Sequence, residues 1–124
     1  MKASRREILA GAASLMLWPR DVFAAATAQT EALLALLPDR DAAAKLGESW
    51  VQLEPMQAGE IVDNLQRRLG WSRGTSAPAL RRNLANAIGA DFHSGAVVHV
   101  EGWRIARTQA ELCALAYFAT TGSL

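Results

Sequence analysis

Between Ala43 and Phe92 the apolar residues recur every three or four positions, in three blocks separated by proline and glycine, and after Gly95 the period changes to two. That single change of period is what most constrains the fold, because a pattern of 3.6 buries one face of a helix and a pattern of 2 buries one face of a strand. In the first block Ala43, Leu46, Trp50 and Leu53 form a stripe, after a cap at Asp39 or Asp41 and before the break at Glu54-Pro55. In the second, Ile61, Val62, Leu65 and Leu69 lie opposite Asp63, Gln66 and Arg67, and Gly70 is placed to end the helix in a left-handed conformation. In the third, Ser76 is the cap, Pro78 sits in the first turn, and Leu80, Leu84, Ile88 and Phe92 are the expected inner face. A short run of helix formers, Glu31 to Leu37, precedes these blocks and is stopped by Pro38.

After Ser94-Gly95, Val97-Val98-His99-Val100 and Trp103-Arg104-Ile105 flank Glu101-Gly102, which reads as a two-residue hairpin. Thr108-Gln109-Ala110-Glu111 has the form of a capping box and opens a last helix with Leu112, Leu115 and Ala119 inward. A two-stranded hairpin is marginal alone, so it must lie on the helices, with Trp103 as the expected anchor. The expectation is therefore a mainly α domain: a small bundle of four to five short helices with one β-hairpin before the last helix. Its expected core is Trp50, Leu65, Leu84, Phe92, Trp103, Leu112 and Leu115.

The residues ahead of this domain read as a cleavable export signal. Lys2, Arg5 and Arg6 form a positive head, Ile8 to Trp18 is apolar, and Ala24-Ala25-Ala26 or Ala26-Thr27-Ala28 offers the small-x-small cleavage pattern. The apolar run is too short to cross a membrane, which takes roughly 20 residues. Residues 1–28 are thus set apart from the domain at 29–124, with cleavage after Ala26 or after Ala28. No stable membrane span is expected after cleavage.

Ser4-Arg5-Arg6-Glu7-Ile8-Leu9 resembles the twin-arginine translocation (Tat) family of signals, in which Ser or Thr, two arginines and a pair of apolar residues recur. The pattern departs from that family at Ile8, where Phe is usual, and at Ala10, where Lys is usual. Arg20, between the apolar run and the cleavage region, is a further point of likeness; the alternative is a general secretory signal that carries two arginines. The resemblance implies recognition by the Tat machinery and a periplasmic destination.

Counted from Gln29, nine Lys and Arg stand against ten Asp and Glu, so the chain's net charge of +1 becomes −1 without the signal. A near-neutral domain has no strong field for nucleic acid or anionic lipid. Cys113 is the single cysteine, which excludes an internal disulfide, and its apolar neighbours favour burial over reactivity. A metal site would have to draw on His93, His99 and Cys113, with Asp91 as a fourth ligand, but their spacing matches no ligand motif. Asp91, His93 and Ser94 have the residue types of a nucleophilic triad, yet are too close along the chain to converge as one. Neither a cofactor nor a reaction is expected from these residues. Arg67, Arg68, Arg73, Arg81 and Arg82 surround the turn-rich connection from Trp71 to Ser76 and read as a solvated face, with an acidic protein partner as the functional alternative.

From Asp91 to Leu115, a pattern carried by Asp91, Gly95, Gly102, Trp103, Thr108 and Glu111 resembles the C-terminal part of small Tat-signal proteins. Some proteins of that kind accompany periplasmic flavin or metal dehydrogenases as accessory subunits. The likeness implies a non-catalytic accessory or interaction protein, the small subunit or export partner of a larger oxidoreductase. The alternative is a free-standing periplasmic domain that binds a ligand or a metal.

Overall fold

A computed structural model describes residues 29–122 of the chain. The expected signal residues Ser4, Arg5, Arg6, Ile8 and Leu9 and the cleavage-region residues Ala24, Ala26 and Ala28 lie outside the described residues. Residues 29–34 are helical, and the segment tightens at its end through bonds from the Leu36 and Leu37 amides to the Leu33 and Leu34 carbonyls before Pro38. Then follow α1 (Arg40–Leu53), α2 (Ala58–Leu69), α3 (Ala77–Ser94), strands β1 (Val97–Val100) and β2 (Trp103–Ala106), and α4 (Arg107–Thr121). The fold is mainly helical with an antiparallel hairpin before the last helix, as the change of period implies.

The punctuation is that expected from local chemistry. Asp39 accepts from the Ala42 amide at 3.1 Å and Ser76 from the Ala79 amide at 3.2 Å, so each supplies an acceptor for an otherwise orphaned first-turn donor. Gly70 and Gly95 end α2 and α3 at φ of 61° and 82°, in the left-handed region where a Cβ would be strained. Glu101 and Gly102 both have positive φ, 53° and 79°, the turn whose twist matches a two-residue hairpin. In register, Val97 pairs with Ala106, Val98 with Ile105, His99 with Arg104 and Val100 with Trp103.

The core is organised around α4. Every residue from Ala110 to Ala116 is buried, so this helix has no outer face over two turns, and α1, α2, α3 and the hairpin all pack on it. Its largest partner is α1. At their crossing Gly47 lies so near the backbone of α4 that a Cβ there would sit 2.1 Å from the Cys113 carbonyl oxygen and 2.7 Å from the Ala114 nitrogen. Glycine is required at that point to let two helix backbones touch.

Trp50, Leu65, Leu112 and Leu115 are buried as expected, and Leu84 packs against the core from a half-buried position. Four expectations are corrected. Trp103 is 65% exposed and does not anchor the hairpin. Cross-strand partners project to one side, and at the turn end it is Val100 that fills the space against the helices, with Val98 and Ile105 behind it. Phe92 is 39% exposed because its neighbour Asp91 turns inward, and successive helical residues point about 100° apart. Leu53, in the last position of α1, is 67% exposed, since Trp50 already closes that stripe. Ala119 is also exposed, beyond the part of α4 that the other helices cover.

Candidate functional site

The expected capping box at Thr108 and Glu111 is not one. The residue before the first turn of α4 is Ala106, whose side chain has no acceptor, and its amide is taken by the Gln109 side chain at 2.9 Å. Thr108 is inside the first turn, and both its amide and its hydroxyl donate to Asp91 Oδ2, at 2.8 and 2.6 Å. Asp91 thus serves as the cap of α4 from the end of α3, placing a carboxylate where the helix dipole favours negative charge. Glu111, expected to reach back to Thr108, is instead fully buried one turn further in.

Around Asp91 and Glu111 the helices converge on a buried ionic junction. Arg68 of α2 donates from Nη1 to Thr108 Oγ1 at 2.9 Å, and the same nitrogen lies 3.7 Å from Asp91 Oδ2 and 3.6 Å from Glu111 Oε1. Asn64, one turn earlier on the same face of α2, donates to Glu111 Oε2 at 3.1 Å and accepts from Arg67. Arg107 places Nε 3.6 Å from Glu111 Oε2 and Nη2 2.6 Å from Glu54 Oε2 at the end of α1. Its guanidinium also lies over the Trp50 ring, 5.7 Å from the centroid. One arginine from α2 and one from α4 therefore neutralise carboxylates from three helices. Glu111 Oε1 has no hydrogen-bond partner among the described residues and depends on the Arg68 ion pair.

Of the six residues of the C-terminal pattern, the structure brings Asp91, Thr108 and Glu111 together, whereas Gly95 and Gly102 serve turns and Trp103 is mostly exposed. The sequence reading missed Arg68, Asn64 and Arg107 as their partners. A signal was present: Arg107 and Glu111 are an i, i+4 ion pair in a helix whose next five residues are Leu, Cys, Ala, Leu and Ala. A charge pair in so apolar a helix points inward to further charges.

The metal candidates do not meet. His93 and His99 are exposed and Cys113 is buried, and among the described residues no group of three or more His, Cys, Asp or Glu is arranged to hold an ion. Burial pushes the Cys113 thiol up from 9.0 to about 11, which keeps it protonated and a poor nucleophile at neutral pH. The Ser94 hydroxyl donates to the Asp91 carbonyl at 3.3 Å, while the Asp91 carboxylate faces Thr108 and Arg68, so Asp91, His93 and Ser94 do not converge as nucleophile, base and orienter. The junction is built to hold three helix ends in register through charge-assisted hydrogen bonds.

On the surface beside it, α2 and α3 border a groove of about 470 Å³ lined by Arg67, Arg68, Leu69, Gly70, Asn83, Asn86 and Ala87. Asn83 Nδ2 donates to the Leu69 carbonyl at 2.8 Å, satisfying one open acceptor at the end of α2 and tying the two walls together. The connection at residues 71–76 joins the two helices, with Thr75 bonded to Ser72 through backbone and hydroxyl.

No helix among the described residues is long and apolar enough to cross a membrane. Comparison with models of protein families, with curated proteins and with solved structures finds no match.

Proposed function

We propose that the chain is a Tat-exported periplasmic protein with no reaction of its own, an accessory or interaction partner of a larger oxidoreductase that lacks a signal. In this reading residues 1–28 are a cleaved signal, and the helical domain, from residue 29 on, is the working part. The observation that carries it is Ser4-Arg5-Arg6 with Ile8-Leu9 ahead of a short apolar run and the Ala24 to Ala28 cleavage region. The resemblance implies an exporter that moves folded chains, used when a cofactor is inserted before export or when two subunits leave together. Two features support the second use. The buried carboxylates Asp91 and Glu111 are engaged in holding helices, and the thiol of Cys113 is held protonated. Meanwhile Trp103 presents most of an indole at the hairpin tip, a residue type that anchors protein interfaces.

The test replaces Arg5 and Arg6 with Lys and fractionates the cells. Retention of both this chain and an oxidoreductase activity in the cytoplasm is the expected result. Retention of the chain alone overturns joint export.

A further inference from the structure

The charges of the described residues are segregated along the chain. Residues 29–63 contain seven carboxylates and two cations, whereas residues 64–90 contain five arginines and neither Asp nor Glu. The acidic block includes α1 and the basic block most of α3, and these two helices each pack on α4, with neither a principal partner of the other. Of the five arginines, Arg68 is committed to the buried junction. Among the described residues Arg73, Arg81 and Arg82 form no ion pair, and Arg67 donates only to the Asn64 carboxamide. Cations left unpaired within one stretch of a domain whose net charge, counted from Gln29, is −1 create a local positive field that overall composition hides.

We propose that the groove between α2 and α3 takes an extended acidic segment of a protein partner. Its carboxylates would meet Arg67 on one wall and Arg82 at the rim beside the other, and its backbone would meet Asn83 and Asn86. Arg82 stands one turn before Asn86 on the same stripe of α3. Guanidinium groups pair bidentately with carboxylates, and a carboxamide both donates to and accepts from a peptide group. The Asn86 side chain is exposed, and Asn83 spends one amide proton on the Leu69 carbonyl and keeps its oxygen.

Arg67 lines the groove and Arg82 stands one turn from the lining residue Asn86, a spacing that suits charges set along a chain better than one phosphate. The large exposed apolar residues, Leu53, Phe92 and Trp103, do not line the groove, so it lacks the apolar contacts with which a lipid surface is held. This inference rests on the reading of the chain as an interaction protein and assigns that interaction to a face and to a chemistry.

The test uses the full chain and a fluorescein-labelled peptide of alternating glutamate and alanine, followed by anisotropy. Saturable binding that weakens with added salt is expected, with Arg67→Glu and Arg82→Glu each lowering affinity about tenfold or more and Arg40→Glu leaving it unchanged. Arg67, Arg82 and Arg40 are exposed, and thermal unfolding confirms that each variant is folded. Equal binding of a glutamine-alanine peptide, or indifference to both groove variants, overturns the proposal. Displacement of the peptide by inorganic phosphate at equimolar concentration makes this a small-anion site and overturns it too. So does salt-sensitive self-association in sedimentation that Arg67→Glu abolishes, since the occupant is then a second copy. If peptide binding fails while joint retention with an oxidoreductase holds, the groove is wrong and the accessory role stands. If binding holds and joint retention fails, the export partnership alone is lost.

Discussion

The two sides of α4 are held by different mixtures of shape and charge. Toward α1 the contact is one of shape except at its end, where Arg107 pairs with Glu54: Gly47 meets the backbone at Cys113 and Ala114, with Ala43, Ala44 and Ala110 buried in the same cluster. Toward α2 and α3 an ionic junction is added to the apolar packing, with Arg68, Asp91 and Thr108 meeting the fully buried Glu111. Close approach maximises dispersion over many atoms and tolerates no added volume. An ionic junction tolerates volume but not the loss of one partner, because the other charge is then buried alone. Added volume should therefore be felt toward α1, and loss of a charge toward α2 and α3.

The largest effect is expected on the shape side. Gly47→Ala puts a methyl 2.1 Å from the Cys113 carbonyl oxygen, where backbone and not a flexible side chain must give way. Overpacking usually costs about 1–3 kcal/mol, and because backbone must move here a loss of about 4 kcal/mol or more is expected, a large part of the roughly 5–15 kcal/mol that holds a domain of this size. Urea unfolding of the variant within about 1 kcal/mol of wild type would show that α1 can slide off α4 without cost, and the comparison would fail.

On the charge side, Glu111→Ala should cost about 3–5 kcal/mol by leaving Arg68 and Arg107 without their shared carboxylate. Replacing Glu111 and Arg68 together by Leu should cost less than the sum of the single losses, by a coupling of about 1 kcal/mol or more in the double-mutant cycle. Additive losses would mean that the junction is a set of independent contacts.

Cys113 probes the shape side by pH. Its thiol titrates near 9.0 when unfolded and near 11 when buried, so the native state holds the proton more tightly. The contribution is fully present below pH 9.0 and is lost as pH rises toward about 11, by about 2–3 kcal/mol. Denaturation midpoints across that window should fall more steeply for wild type than for Cys113→Ala. Parallel curves would place the thiol in water.

The smallest effect is expected where neither mechanism reaches. Trp103→Ala should change stability by less than about 1 kcal/mol, because most of the indole is already solvated. A loss of about 3 kcal/mol in the same urea titration would return Trp103 to the role of hairpin anchor that its size suggested.

Helix and strand boundaries were legible because they rest on local chemistry. Asp39, Ser76, Gly70 and Gly95 act within a few residues of themselves, and Glu101-Gly102 needs only its own two φ angles to reverse the chain. The stripes of α1 and α2 were legible for the same reason, since periodicity is a property of one segment. The mainly helical architecture followed from those two kinds of local signal.

What tertiary structure alone decided is which of two plausible faces turned inward. Phe92 has the greater hydrophobic area, yet Asp91 took the interior because Thr108 and Arg68, 17 residues on and 23 residues back, were there to receive it. Thr108 and Glu111 match a capping box, but the same chemistry was drawn across helices once α4 became the buried axis. The candidate site, the Arg68 junction and the adjoining groove, joins residues from separate helices. The demand that every buried charge find a partner is a condition on the whole assembly, and it cannot be evaluated one segment at a time.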